Sequence, residues 1–459
     1  MSSPMHSIQS IQHDCEILII QNLYVLLDRY ERDPDYTFVD MKFKAFDGTE
    51  FPESPDGQRT IYSKDVLYGI IQGRALEALA GHINWLPNAT TLSSDEKEVL
   101  FSRTRSVLEE TTDSLEALRA TGNGHVYFMM PKDRCIPLQI NDDGSVVPWE
   151  DLDMSSSNVT DIFYAKGLLA AAHCLGRDDL LKTADALFRQ TVTDILNNTI
   201  VIDRQVMDPK NPVEHVPGRC SYAYRMLALG GVAMAIDAGL GEFYIKSAQQ
   251  MINDNINVCM NTGQYDHLQE NDYLEYLNED DLQPWQDDQG RIWCDPGHAL
   301  EFIGLAMKAI IVMASKSSAD SEILDQLRQV TSAHFIPVFT HIYKLGYTPD
   351  VGGICKSYNL ADRCVNNADM PWWNLPETIR AAAELIAFFP DADHSALHAV
   401  IAQCHENYMS HYAIAERQYI PIQTRDVTGA PVDIIPAMPD ADPLYHTGLS
   451  LIDTLNLLR

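Results

Sequence analysis

The pattern of this chain predicts an all-α fold, an (α/α)6 barrel with short β-hairpin insertions, and three observations carry that expectation. Twelve segments of helical period run through the 459 residues. Longer loops follow alternate helices, so the twelve read as six two-helix units. No Pro/Gly/Ser linker and no charge run divides them, which predicts a single domain over residues 1–459. A helical solenoid or two bundles would use the same elements. Twelve helices without capping asymmetry favour the closed ring.

The helices are expected near Ile17–Tyr30, Asp65–Asn84, Asp95–Ala120, Val159–Leu175, Asp178–Asn197 and Cys220–Leu240. The other six lie near Glu242–Cys259, Pro296–Ser315, Glu322–Leu345, Pro376–Phe389, His394–Ala413 and Thr447–Leu458. Ser93-Ser94-Asp95 and the run Asp391 to Asp393 supply start signals, and Pro390 a stop. Two β-like pieces lie between helices: Thr37–Phe51 with its Asp47-Gly48 turn, and Val126–Ile140 ending in Asn141-Asp142-Asp143-Gly144. Three long loops, Gln264–Trp293, Tyr347–Trp373 and Gln418–Tyr445, each precede a helix that begins with a candidate site residue. In a barrel they would gather at one mouth and close over a small polar ligand.

Composition narrows the function. Sixty-five acidic residues against 33 basic give a net charge of -32. Phosphate recognition needs clustered Lys and Arg, so neither nucleic acid nor an anionic membrane is an expected partner. Residues Met1 to Asp14 carry no apolar signal region, and the Ile17–Leu27 run is too short and too polar to span a bilayer. Nine cysteines without a CxxC pair fit reduced thiols, and the expected compartment is cytoplasmic. There is no HExxH and no Cys cluster, hence no expected metal. There is no P-loop and no GxGxxG after a strand, hence no expected nucleotide cofactor.

Five groups of residues point to chemistry. Asp295-Pro296-Gly297-His298-Ala299-Leu300-Glu301 opens a long apolar helix. Asp295 suits the cap, Pro296 the first position, and His298 and Glu301 share a face. A helix N-terminus lowers an imidazole pKa, so His298 is expected to be a neutral base. His446 starts another helix, in Leu444-Tyr445-His446-Thr447-Gly448. Two such histidines flanking one carbon could remove and return a proton, and either one alone also suits a structural role. Ile71-Gln72-Gly73-Arg74 places a glycine inside a helix, which indicates close packing or a nearby ligand. Arg74 offers a fork for a developing oxyanion, or for a barrel carboxylate. Pro371-Trp372-Trp373-Asn374-Leu375-Pro376-Glu377 supplies aromatic faces for sugar C–H surfaces or core packing, and Glu377 a hydroxyl ligand or a dipole-stabilising charge. Around Tyr222, Tyr224 and Arg225, packing plus a salt bridge is the plainer reading.

Four of these segments together resemble the N-acylglucosamine 2-epimerase superfamily. Asp295 to Glu301 is similar to its Asn-Pro-Gly-His-x-x-Glu, and Gln72-Gly73-Arg74 to its Gln-Gly-Arg. Trp372, Trp373 and Glu377 match its Trp-Trp-x-x-x-Glu, and Tyr445-His446-Thr447 its late Phe-His-Thr, all in the same order. The resemblance runs from Thr37 onward and implies an (α/α)6 barrel. It also implies a cofactor-independent sugar epimerase or aldose–ketose isomerase acting on a small-molecule sugar, with a homodimer as the assembly to consider. His298 and His446 would be the acid/base pair, Arg74 would bind the O1/O2 region, and Glu301 would orient or assist His298. Trp372, Trp373 and Glu377 would line the sugar pocket. Asp295 departs from the family's Asn, and Asn374 and Pro376 from its usual residues. Where some branches carry a third His, this chain reads Ser221-Tyr222-Ala223-Tyr224-Arg225-Met226, which gives Tyr224 and Arg225 a place against a substituted or anionic sugar. Two other readings use the same residues. One is a barrel glycoside hydrolase or lyase employing Glu301 with Glu377 or Asp161. The other is a catalytically inactive sugar-binding protein.

Overall fold

The structure, a computed structural model, describes residues 8–44, 46–52, 57–207, 216–316, 321–434 and 437–458. Twelve α-helices are present among them: α1 Ile8–Glu31, α2 Gly69–Trp85, α3 Ser94–Arg119, α4 Val159–Leu175, α5 Asp178–Leu196 and α6 Ala223–Asp237. They continue as α7 Glu242–Val258, α8 Pro296–Ser315, α9 Ser321–Gly346, α10 Asn374–Phe388, α11 Ser395–His411 and α12 Ser450–Leu457. The even-numbered helices form a closed inner ring in which α2 packs on α4, α4 on α6, α6 on α8, α8 on α10, α10 on α12 and α12 on α2. The odd-numbered helices lie outside, and α1 covers the seam by touching α3, α11 and α12. This is the expected (α/α)6 toroid.

Sequence periodicity separates the two rings. Outer helix α5 buries Leu180, Ala184, Phe188, Thr191, Val192 and Ile195, a single stripe at three- and four-residue spacing. Each fully buried large side chain of this kind contributes about 1.5–3 kcal/mol. Inner helix α8 is apolar around most of its circumference because neighbours surround it. It is long and apolar enough to cross a membrane, yet in this fold it is a core helix of the ring. Caps fix the helix starts. Ser93 and Glu96 form a capping box on α3, and Asn158 and Asp161 do so on α4.

Several boundaries differ from expectation. Helix α1 begins at Ile8, because Ile11, Cys15, Leu18 and Ile19 continue its buried face through the polar His13-Asp14 pair. Residues Val66–Tyr68 form strand β1 rather than the first turn of α2, pairing antiparallel with β2, Met129–Pro131. The Asn141 to Gly144 turn joins β3, Leu138–Ile140, to β4, Val146–Pro148. Helix α6 starts at Ala223, since Arg219–Cys220 pairs with Leu277–Asn278. A π-helical turn, Tyr445–Leu449, precedes α12.

The three long loops are stitched to one another. Asn359 pairs with Trp293, joining the first loop to the second, and Met370 pairs with Arg425, joining the second to the third. They therefore share one mouth of the ring.

Gly73 answers the question raised by a glycine inside α2. A Cβ there would lie 2.5 Å from the backbone C and O of Phe163, and one on Gly167 would lie 2.2 Å from the Gly73 carbonyl oxygen. Helices α2 and α4 thus meet backbone to backbone, and close packing is the reason for the glycine. Gly73→Ala is expected to cost about 1–3 kcal/mol by overpacking. A thermal unfolding midpoint equal to that of the parent protein would show that the two helices do not approach so closely.

Candidate active site

His298 sits in the first turn of α8. The Asp295 carboxylate accepts from the backbone N–H of Gly297 at 3.0 Å and of His298 at 3.3 Å, and Pro296 occupies the first position. Gly297 is required by its neighbours, because a Cβ would strike the Asn374 side chain at 2.2 Å and the Trp373 ring at 2.7 Å. Only a bare backbone lets this turn press against the start of α10.

The imidazole Nδ1–H of His298 donates to Glu275 at 3.0 and 3.1 Å, and Asp295 lies 3.6 Å away. A carboxylate can only accept, so Nδ1 carries a proton and Nε2 is left free of Glu275. Burial alone would lower the His298 pKa. The charges of Asp295 and Glu275 and the Glu275 hydrogen bond outweigh it and raise the pKa from 6.5 to about 9. This corrects the expectation of a neutral base: two carboxylates overcome the helix N-terminus, and His298 is a cation at neutral pH. Lys356 bonds Asp295 at 2.7 Å and, with His298, holds that carboxyl below its usual range against burial.

His446 lies in the π-turn. Leu444 turns the chain with φ 69°, and the Asp442 carboxylate accepts from the N–H groups of His446 and Thr447 at 3.2 and 3.0 Å. It also accepts the Thr447 hydroxyl at 2.7 Å. The His446 Nδ1–H donates to Glu377 at 2.8 Å, again leaving Nε2 free of the carboxylate. Glu377 is 1 % exposed and also accepts from Ser450 at 2.6 Å and from Arg380. Burial opposes its charge, but Arg380 and His446 prevail and hold its pKa at about 2.

Trp373 brings the two histidines together. Its ring centroid is 5.5 Å from that of His298 and 5.5 Å from that of His446, with interplanar angles of 30° and 32°. Trp372 meets His446 edge-on at 6.2 Å and is buried. Arg74 stacks over Phe163 at 4.8 Å and Tyr445 at 5.1 Å, and its Nε is buried without a partner among the described residues. Tyr224, on the first turn of α6, lies within reach of the charges of Arg204 and Glu275.

Three expected placements are not met. Glu301 does not orient His298. Its carboxyl, 2 % exposed, belongs to the cluster around His446 and Glu377, while Glu275 from the first mouth loop holds His298. Burial and the neighbouring Glu377 raise the Glu301 pKa. Arg225 does not face the mouth. It pairs with Asp254 of α7 at 3.2 Å, donates to Asn198 at 3.1 Å and lies over the Tyr222 ring. Asp161 is committed as a cap and accepts from Asn158, Val126 and His125, so it has no place opposite Glu301.

Glu275, Lys356 and Asp442 were not singled out beforehand. Glu275 lies in the acidic, aromatic Gln264–Trp293 loop, and Asp442 four residues before His446. Only that proximity to a motif could have found them.

Two groups, Glu275/Asp295/His298 and Glu301/Glu377/His446, bring ligand-type atoms within 4.8 Å of one another. In each, one acid already meets a cation, Asp295 with Lys356 and Glu377 with Arg380, and the imidazole Nδ1 is committed to a carboxylate. Both groups are ion-paired hydrogen-bond networks.

No family model matches the chain, and no curated protein matches it by sequence. Solved structures do. A D-mannose isomerase matches with TM-score 0.63 and 15 % identity, over 99 % of this chain and 100 % of that one. The cellobiose 2-epimerase of Bacillus thermoamylovorans matches with TM-score 0.65 and 10 % identity, over 98 % and 100 %. The fold is that of these sugar isomerases and epimerases. The likeness runs over nearly the full length of each chain, so the whole architecture is shared. A possible member of the GH105 family from Salmonella enterica shares the barrel more loosely, with TM-score 0.53 and 11 % identity over 100 % and 96 %.

Because the His298 pKa is raised in the fold, its contribution to stability is fully present below the ordinary 6.5 and is lost as pH climbs through about 9. A proton NMR titration of the imidazoles is expected to place His298 near 9 and to move it to lower pH in Glu275→Gln. An unchanged titration in that variant would remove Glu275 as its partner.

Proposed function

We propose that this barrel is a cofactor-independent sugar 2-epimerase or aldose–ketose isomerase that moves a proton through an enediolate. One observation carries the reading. Two imidazoles, each held at Nδ1 by its own carboxylate, offer Nε2 at one mouth against the faces of a single tryptophan. A C2 proton beside a carbonyl is too weakly acidic for imidazole unless the enediolate oxygens are stabilised as they form. Arg74, stacked on two rings with its Nε unpaired among the described residues, supplies a guanidinium for that purpose. His446 takes the C2 proton, and cationic His298 delivers one. Delivery to the other face of C2 gives the epimer, and delivery to C1 gives the isomer. Trp372 and Trp373 provide the apolar faces for the sugar ring.

The hydrolase reading has less support. It needs carboxyl groups facing each other across a bond, about 5–9.5 Å apart. Glu301 and Glu377 instead sit side by side around His446, with Glu377 paired to Arg380.

The test is proton NMR in D₂O with N-acetylglucosamine, N-acetylmannosamine, mannose, glucose and cellobiose. Deuterium is expected at C2, or at C1 of an aldose–ketose pair. His298→Ala and His446→Ala are each expected to lower the rate by about 10²–10⁴-fold with the fold retained. Full activity in either variant rejects the two-histidine mechanism. Sugar binding without exchange in the parent protein favours an inactive binding protein, and release of a new reducing end favours the hydrolase.

A further inference from the structure

Next to His446, inside the ring, lies a buried cation that the mechanism above does not use. Lys166 of α4 is wholly buried, 3.3 Å from the Glu77 carboxylate and 3.3 Å from the Leu227 carbonyl, and its ammonium donates to the Tyr445 hydroxyl. Lys166 and Arg74 share the same two aromatic rings. Lys166 lies 5.0 Å from the Phe163 centroid and 4.6 Å from that of Tyr445, and Arg74 lies 4.8 and 5.1 Å from them. Tyr445 meets the His446 ring edge-on at 4.9 Å. One phenol therefore touches the proposed base, the proposed oxyanion guanidinium and a buried ammonium.

Donor arithmetic decides what that phenol offers. An ammonium has only donors, so the Tyr445 oxygen must accept from Lys166 and its own hydrogen must go elsewhere. Among the described residues no acceptor takes it. A buried O–H without an acceptor is costly, and a cation bonded to its oxygen makes it a stronger donor. Burial keeps the phenol protonated, so the hydrogen stays available.

Resting on the epimerase/isomerase reading, we propose that Tyr445 is a further catalytic residue. Its phenolic O–H bonds a substrate oxygen beside Arg74 and stabilises the charge that develops there, and Lys166 is the positioning residue that aims it. No bond to Tyr445 forms or breaks; the hydroxyl keeps its proton throughout.

The experiment is steady-state kinetics with deuterium exchange in D₂O on the parent protein, Tyr445→Phe, Lys166→Met and the double variant. Phe keeps the ring and its cation contacts, and Lys166 keeps Glu77 and the Leu227 carbonyl, so Tyr445→Phe should stay folded with a lowered unfolding midpoint. It is expected to lose about 10²-fold in kcat/KM, mainly in kcat, as for removal of one oxyanion donor. The double variant should be no slower than the slower single variant, because Lys166 acts through Tyr445. Unchanged kcat and KM in Tyr445→Phe overturns the proposal and leaves the epimerase reading standing, and losses that multiply in the double variant remove Lys166 from the role. If Lys166→Met fails to fold, Tyr445→Phe alone decides. If the parent protein exchanges no sugar on the panel, the parent reading fails and this assignment falls with it.

Discussion

The mouth of this barrel depends on keeping a buried carboxylate charged. Glu377 sits almost fully out of water, where an isolated anion would take up a proton. Arg380, one turn further along α10, prevents this by ion pairing, and Ser450 and the His446 imidazole complete its hydrogen bonds. The same carboxylate joins α10 to the π-turn and to α12, so the electrostatic arrangement is also a mechanical one. Had Glu377 gone neutral, its own O–H could donate to His446 and so no longer fix that ring's tautomer, and its ion pair with Arg380 would be lost.

The two histidines are built by different means and end in comparable geometry. His298 stands on a regular helix start capped by Asp295, and its partner Glu275 arrives from a loop. His446 stands on an irregular turn, and its partner Glu377 arrives from a helix. Each site takes one half from a rigid element and the other from a mouth segment. The strand pairings among the loops give those segments the fixed register that an unpaired loop would lack.

Elements with strong local signals were legible in the sequence. The twelve helices follow from apolar period and caps, and the pairing of Gly73 with α4 could be suspected because glycine is costly in a helix interior. What could not be read came from long-range partners. Val66–Tyr68 is a strand only because Met129–Pro131 lies beside it. Sequence spacing placed Glu301 next to His298, since three residues apart means one helical face. Within the fold Glu301 reaches across to a different helix, and a residue 23 positions before His298 takes the expected role. The same failure affected charge. A helix N-terminus argues for a neutral imidazole, and it was two tertiary carboxylates, invisible in spacing, that reversed the sign.

The ring is closed by the two extremes of the described chain. Helix α1 packs on α12, and the Gln12 side chain bonds the Leu458 carbonyl at 2.9 Å. The part of the α1 face that meets α11 and α12 therefore finds its partners only after those helices have been made. His446 is delivered by that same late segment. A chain without that segment would hold His298 alone and an open ring, so closing the ring also brings the two imidazoles to one tryptophan.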